Sequence, residues 1–373
     1  MTGGGMMSGS GINPAIVGLS GPGNPDAGAR IISPSVKLSE SPALGVHPTF
    51  TVIEPAQARA VIGYGDGAVR AIGLVLDGAQ PSEVAKISAT PIAAAADIGG
   101  AGVLIGTDGG DLLRLDGSTI TRLAETGGPW VGEIAVHDGK ELRAFAAGKA
   151  LTVLDAEGAR VFEASDHPST VAGLSFSPDG ARIAAAHYDG VTVWSLADAG
   201  QKPVRLEWHG SHTAVAWSPD GKFIVTAMQD KEMHCWRWKD KTGMRMSGYP
   251  SKIRSLAWTA DGQYVAASGA DTVTSWDCAG KGPSGKPPLE FGYVYDGVVR
   301  QVAAHPTDRV VAGGYSDGTV LIGTVEQETA MIARPSSGHA VTGLAWTADG
   351  GTLIATDESG AVSVMRILEP VVS

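Results

Sequence analysis

His209, His212 and His234 share one stretch of the chain with Cys235, and imidazole with thiolate is the donor set that holds zinc. Their spacing does not assemble it. His209-x-x-His212 crosses from a loop into a strand instead of lying on one helix face, and no carboxylate or second cysteine completes a tetrahedral set. Met228, Met233, Met244 and Met246 offer thioethers to a soft ion, but flexible thioethers more often fill gaps in a core than bind copper. No metal and no cofactor is expected. Asp66, Asp189, Asp230, Asp271 and Asp317 each stand just ahead of a short apolar strand. Such carboxylates could ring a cation; the favoured expectation is that each caps its own turn by accepting backbone N–H bonds. The sequence has no Gly-x-Ser-x-Gly elbow, phosphate-binding loop or dinucleotide fingerprint, so a nucleophile or a nucleotide site is not expected.

The elements that carry these residues recur. VAGLSFSPDGARIAAAHYDGVTVWSL from Val171 returns as HTAVAWSPDGKFIVTAMQDKEMHCW from His212 and IRSLAWTADGQYVAASGADTVTSWD from Ile253. Looser copies start at Val299 and Val341, and Phe50, Pro91 and Val131 open units that keep the three-strand rhythm without the tryptophans. Apolar residues alternate as in pleated strands, and Asp-Gly pairs such as Asp179-Gly180 and Asp189-Gly190 supply hairpin turns. The period is about 41 residues, and one such unit cannot bury both faces of its small sheet. The units must stack.

With Gly338-His339, the turns Ser177-Pro178-Asp179-Gly180 and Ser218-Pro219-Asp220-Gly221, and the terminal pair Trp276-Asp277, the chain resembles the WD40-repeat family over about residues 35–368. The resemblance implies an all-β fold: a single WD40-like β-propeller over 34–373, preceded by a flexible Gly- and Ser-rich arm over 1–33. Eight starts predict eight four-stranded blades, with seven, the commoner number in the family, as the alternative. The last unit runs out at Pro370 without an outer strand, so Ser35 to Ser39 is expected to supply it and close the ring. The resemblance also implies a hydrogen-bond chain joining a turn aspartate to a histidine, a hydroxyl and a tryptophan. His212, Thr226, Asp230 and Trp236 fit it.

A net charge of −11 disfavours nucleic acid and anionic lipid as partners, since both need a basic footprint. No apolar run is long enough for a membrane helix, and the first basic residue is Arg30, too late for a secretory signal, so a cytoplasmic protein, monomeric when alone, is expected. Aligning the units in register places the two thiols, Cys235 and Cys278, three strand steps apart, roughly 10 Å and out of disulfide range.

What remains is recognition. Arg254 and Arg300 occupy equivalent second positions of neighbouring inner strands, with Tyr249, Lys252, Tyr293 and Tyr295 in the loops beside them. Tyr188, Gln229 and Trp130 fall on the same rim, Trp130 serving either as a cover for a blade junction or as an aromatic anchor. On an acidic protein this cluster predicts a surface for an acidic segment of a protein partner. The expected function is a non-catalytic scaffold in a cytoplasmic complex, with a propeller enzyme or a ligand- or metal-binding protein working at the channel mouth as the alternative.

Overall fold

A computed structural model describes residues 32–78, 80–198 and 200–369 and the backbone of Ile16–Val17. The repeat units fold as meanders of antiparallel strands whose inner segments follow one another around a central axis and meet again where the first contacts the last. Side chains of neighbouring sheets interleave into a series of buried clusters, one at each junction, rather than one central core. Ala and Gly dominate the inner strands, as in Pro91–Ala96, because the wedge-shaped sheets crowd towards the axis.

Hydrogen bonding sorts the strands into seven sheets, not eight separate four-stranded blades. The reason lies between the fourth and fifth units. Arg182–Ser195 and Val204–Trp217 each run for 14 residues without a break, so these two units share one six-stranded sheet. Within it the pairing of the first long strand shifts register between Tyr188 and Gly190, where Asp189 and Gly190 have φ angles of 66° and 137°. Gly190 is required there. A Cβ would stand 2.1 Å from the carbonyl oxygen of Leu206. The expected eight-blade count is corrected accordingly: seven sheets carry the eight repeat units.

The ring closes where the sequence places the closure. Val36–Glu40 pairs antiparallel with Val362–Ile367, in register from Val36 opposite Ile367 to Glu40 opposite Ser363. Ser41 continues the seam, its N–H donating to Val362 O and its Oγ accepting from Val362 N–H. Beneath it, Arg334 and Asp357, both 1% exposed, form a buried ion pair, and Arg334 Nε lies 3.2 Å from Glu40 Oε1. Most of the arm expected over 1–33 lies outside the described residues. Ile16–Val17 adds a two-residue strand opposite Met331 and Ala330.

The first turn of each unit shows how the degenerate units hold together. Ser177, Ser218, Thr259 and Thr347 each donate a hydroxyl hydrogen bond of 2.5–2.6 Å to the aspartate two residues on, which in turn accepts a backbone N–H. At the same place the first three units carry Glu54, Asp97 and His137. Glu54 accepts from Arg59 Nε at 2.5 Å and from Gly102 N in the next unit. Asp97 accepts from Arg114 Nε and, in the third unit, Arg143 Nε, both at 2.6 Å. Burial pushes the Asp97 carboxyl up, but the hydrogen bonds from Arg143 and Arg114 prevail and hold it below the usual range. Buried ions thus lace the units that lack tryptophan.

Candidate functional site

Arg300 is the second residue of the inner strand Val299–Ala304, Arg254 lies two residues ahead of the neighbouring inner strand Leu256–Trp258, and the structure brings both onto one cavity of about 400 Å³ at the channel mouth. His47, Thr49, Gln301, Thr342 and Glu358 also line it. Neither guanidinium has an ion-pair partner among the described residues, and the buried Nε of Arg300 has no acceptor. An N–H withdrawn from water without a partner is costly, so an oxyanion arriving here gains a charge-assisted bond at little further desolvation.

The rest of the expected cluster divides. Lys252 and Tyr293 are half-buried, Gln229 is exposed, and Tyr295 is 71% exposed. Tyr188 lines a different cavity, of about 620 Å³, with Trp208, His209, Asp189 and Arg205. Trp130 lies against Gly132, at 56% exposure. Tyr249 is not a surface residue. It is buried, its hydroxyl accepting from Trp276 Nε1 at 2.8 Å and lying 3.2 Å from Met233 Sδ. Burial pushes its pKa up.

That position exposes what the sequence reading missed. Four residues before the repeat starts at Val171, His212, Ile253 and Val299, His167, Trp208, Tyr249 and Tyr295 are equivalent. His167 Nε2 accepts from Trp194 Nε1 at 3.0 Å, Trp208 stacks on His234 with ring centroids 4.0 Å apart, and Tyr249 holds Trp276. In the seventh unit the third strand has Ile322 where the others carry an aromatic side chain, and Tyr295 stands free. The signal was available as a fixed offset from the inner strand.

The expected chain of His212, Thr226, Asp230 and Trp236 forms only in part. His212 Nε2 faces the Trp208 carbonyl at 2.9 Å and so carries the proton, leaving Nδ1 to accept from Thr226 Oγ1 at 2.8 Å. Trp236 only packs against His212, 5.7 Å between ring centroids, and no hydrogen bond joins Asp230 to it among the described residues. Asp66 and Asp317 cap their turns through Ala68 N and Thr319 N. Asp189 instead reaches across to Gly210 N and His209 Nδ1, at 3.1 and 3.0 Å, while Asp271 is exposed and takes part through its carbonyl. His209 therefore points outward while His212 and His234 are interior, and among the described residues no group of three His, Cys, Asp or Glu gathers around a common point.

Cys235 and Cys278 are free and buried, both within the cluster between the fifth and sixth units, and burial pushes the Cys235 thiol well up. Cys278 lies beyond the end of the strand Val273–Asp277, so strand spacing does not govern where its sulfur falls.

A ring of stacked antiparallel sheets with grooves on its face and no gathered metal ligands among the described residues defines the class: a β-propeller. Residues 158–194, 200–237 and 241–277 match the WD40 family, described as WD domain, G-beta repeat, so these units are WD40 repeats and the ring they belong to is a WD40-like propeller. The chain is 31% identical over 115 residues to the chromatin assembly factor 1 subunit FAS2 homolog of Oryza sativa subsp. japonica, a match covering 29% of this chain and 23% of that protein. It is 22% identical over 240 residues to Protein HIR1 of Kluyveromyces lactis, covering 53% of this chain and 28% of the relative. It therefore matches about a quarter of those proteins' length. Among solved structures, the C-terminal WD40 domain of Sif2 superposes with a TM-score of 0.69 at 12% identity, over 87% of this chain and 98% of that one, a likeness of fold alone. The cytoplasmic placement does not stand. It is at odds with the relative in Oryza sativa, which is named for chromatin assembly.

Proposed function

We propose that this propeller is a non-catalytic platform for protein partners and that Arg254 and Arg300 grip an acidic segment of one of them. The observation that carries the reading is the pair of guanidinium groups without ion-pair partners on one cavity of an otherwise acidic chain. Bidentate contacts from two arginines give such a site both affinity and register, and the exposed Tyr295 and half-buried Lys252 and Tyr293 extend it. The relatives' names support a role beside chromatin-assembly proteins, and the charge of −11 directs that role to the protein component and away from nucleic acid and membrane.

Partner capture from native lysate, read by mass spectrometry, tests the reading. Arg254→Glu combined with Arg300→Glu is expected to lower retention of the captured partner by about a hundredfold, at roughly tenfold or more for each charge-assisted contact, and to leave the melting curve in place. Undiminished capture by the folded double variant moves the interface elsewhere.

A further inference from the structure

A strand at the rim of a sheet offers unpaired N–H and C=O groups to any other extended chain, and an exposed charge on that strand is a common protection. In every unit but the seventh the outer strand carries at least one exposed charged residue, as Glu83 and Lys86 do in Ser82–Lys86 and Arg160 and Glu163 in Arg160–Ala164. The outer strand of the seventh, Ala330–Arg334, has its one charge buried. That charge is Arg334, 1% exposed and held in the ion pair with Asp357.

This is the strand that Ile16–Val17 joins, making its sheet five-stranded where most of the others have four. The pairing is antiparallel, with Val17 opposite Ala330 and Ile16 opposite Met331. Close by, Ser33 N–H donates to Ile332 O at 2.9 Å, so Ile332 turns its backbone polar groups out of the sheet. Alternate residues of a strand turn theirs the same way, and the N–H and C=O of Ala330 therefore also face out, towards Val17. Met331, between them, turns its amide inwards to the strand Val320–Thr324, where it stands opposite Ile322.

We propose that the segment at Ile16–Val17 is a strap that seals this edge within its own chain, keeping a strand-addition site closed to segments of other chains. Two observations made independently of each other meet at one strand: the edge that lacks an exposed charge is the edge that the chain's own backbone covers. Isoleucine and valine are β-branched types that favour extended backbone, as a short added strand requires. With Ala330 paired to Val17 and Ile332 to Ser33, both outward-facing positions are taken from the N-terminal side of the chain. Lifting the strap frees an N–H and a C=O at Ala330 on a strand with no exposed charge to turn a second chain away. The inference stands apart from the Arg254 site, and its test reads no captured partner.

The full chain and its Val17→Pro variant are compared by hydrogen exchange resolved to single amides. Proline has no N–H to give to Ala330 O, and its fixed φ does not suit an antiparallel strand. The Ala330 amide is expected to exchange about tenfold or more faster in the variant, with the Met331 amide and the melting curve unchanged. In the full chain its rate is expected to be independent of protein concentration. A synthetic peptide of residues 12–19, INPAIVGL, added at the millimolar level that a short tether supplies, is expected to restore slow exchange in the variant and to leave the full chain as it was. Equal Ala330 exchange in the two proteins, protection that rises with the concentration of the full chain, as a strap from a second copy would give, or a variant that the peptide does not protect would each overturn the proposal.

Discussion

A chain that starts at Pro42 is expected to melt about 5–10 °C below one that starts at Ile32, which should melt with the full-length protein. The two differ by the closing strand. Its removal takes buried Val36 and half-buried Leu38 from the last sheet, strips the hydrogen-bond partners from Val362–Ile367, and deletes Glu40 from beside Arg334. Arg334 keeps Asp357, but one of two carboxylates is gone and the edge above them opens to water. Lost apolar burial of two side chains and a weakened buried ion network together cost about 5 kcal/mol or more. Thermal unfolding followed by circular dichroism reads the difference. Equal melting of the two truncations would mean that the seam carries no stability.

Acid is expected to act on the fold through its buried histidines, which lose stability as pH falls, and through Glu133, whose carboxyl burial raises to about 7 and which gains stability over the same range. His234 is 1% exposed, lies between Trp208 and Trp236 with ring centroids 4.0 and 4.4 Å away, and neither ring nitrogen has a hydrogen-bond partner among the described residues. Burial, with His212 adding to it and Glu232 opposing it, lowers its pKa to about 4. His212, His187 and His167 are also lowered, each chiefly by burial; Arg205 adds to the effect at His187 and His167, while Asp189 opposes it at His187 and His212, and Asp230 at His212. In the unfolded chain a histidine takes up its proton near pH 6.5. Above that value both states are neutral and nothing is gained or lost. As pH falls from 6.5 towards 4 the unfolded state binds protons that the folded state refuses, and His234 alone withdraws about 3 kcal/mol. Protonation of Glu133 offsets part of this loss, so the reading is comparative: as pH falls from 7 to 4.5, the urea midpoint of His234→Phe, which keeps a flat ring between the two indoles, should rise relative to that of the unsubstituted protein. Identical pH slopes for the two proteins would remove His234 from the account.

The repeat was legible because two of its signals are local. Alternating apolar residues and Asp-Gly turns specify hairpins without reference to the rest of the chain, and the closing strand follows from a unit that ends one strand short. The count of separate blades was not legible, since it depends on whether a strand breaks between two units, and the residues from Tyr188 to Ser211 pair straight across that boundary. Arg300 was found by alignment because it lies on a strand, where equal offsets mean equal directions, and Arg254, two residues ahead of its own strand, falls beside it. Tyr249 was misplaced for the opposite reason. It precedes its strand, and whether a loop side chain turns in or out depends on what awaits it, here the indole of Trp276.

The unbroken six-stranded sheet also bears on how such a ring can change over evolutionary time. Propellers built of tandem units grow or shrink by duplicating or losing one unit, and a unit bounded by loops on both sides can be cut out and the ends rejoined. Between the fourth and fifth units there is no loop to cut, for Val204–Trp217 is at once the outer strand of one and the inner strand of the next. Any such event there has to cut ahead of Val204, between the third strand of the fourth unit and the long strand that follows. The long strand then travels with the fifth unit, and the fourth borrows its outer edge from its neighbour.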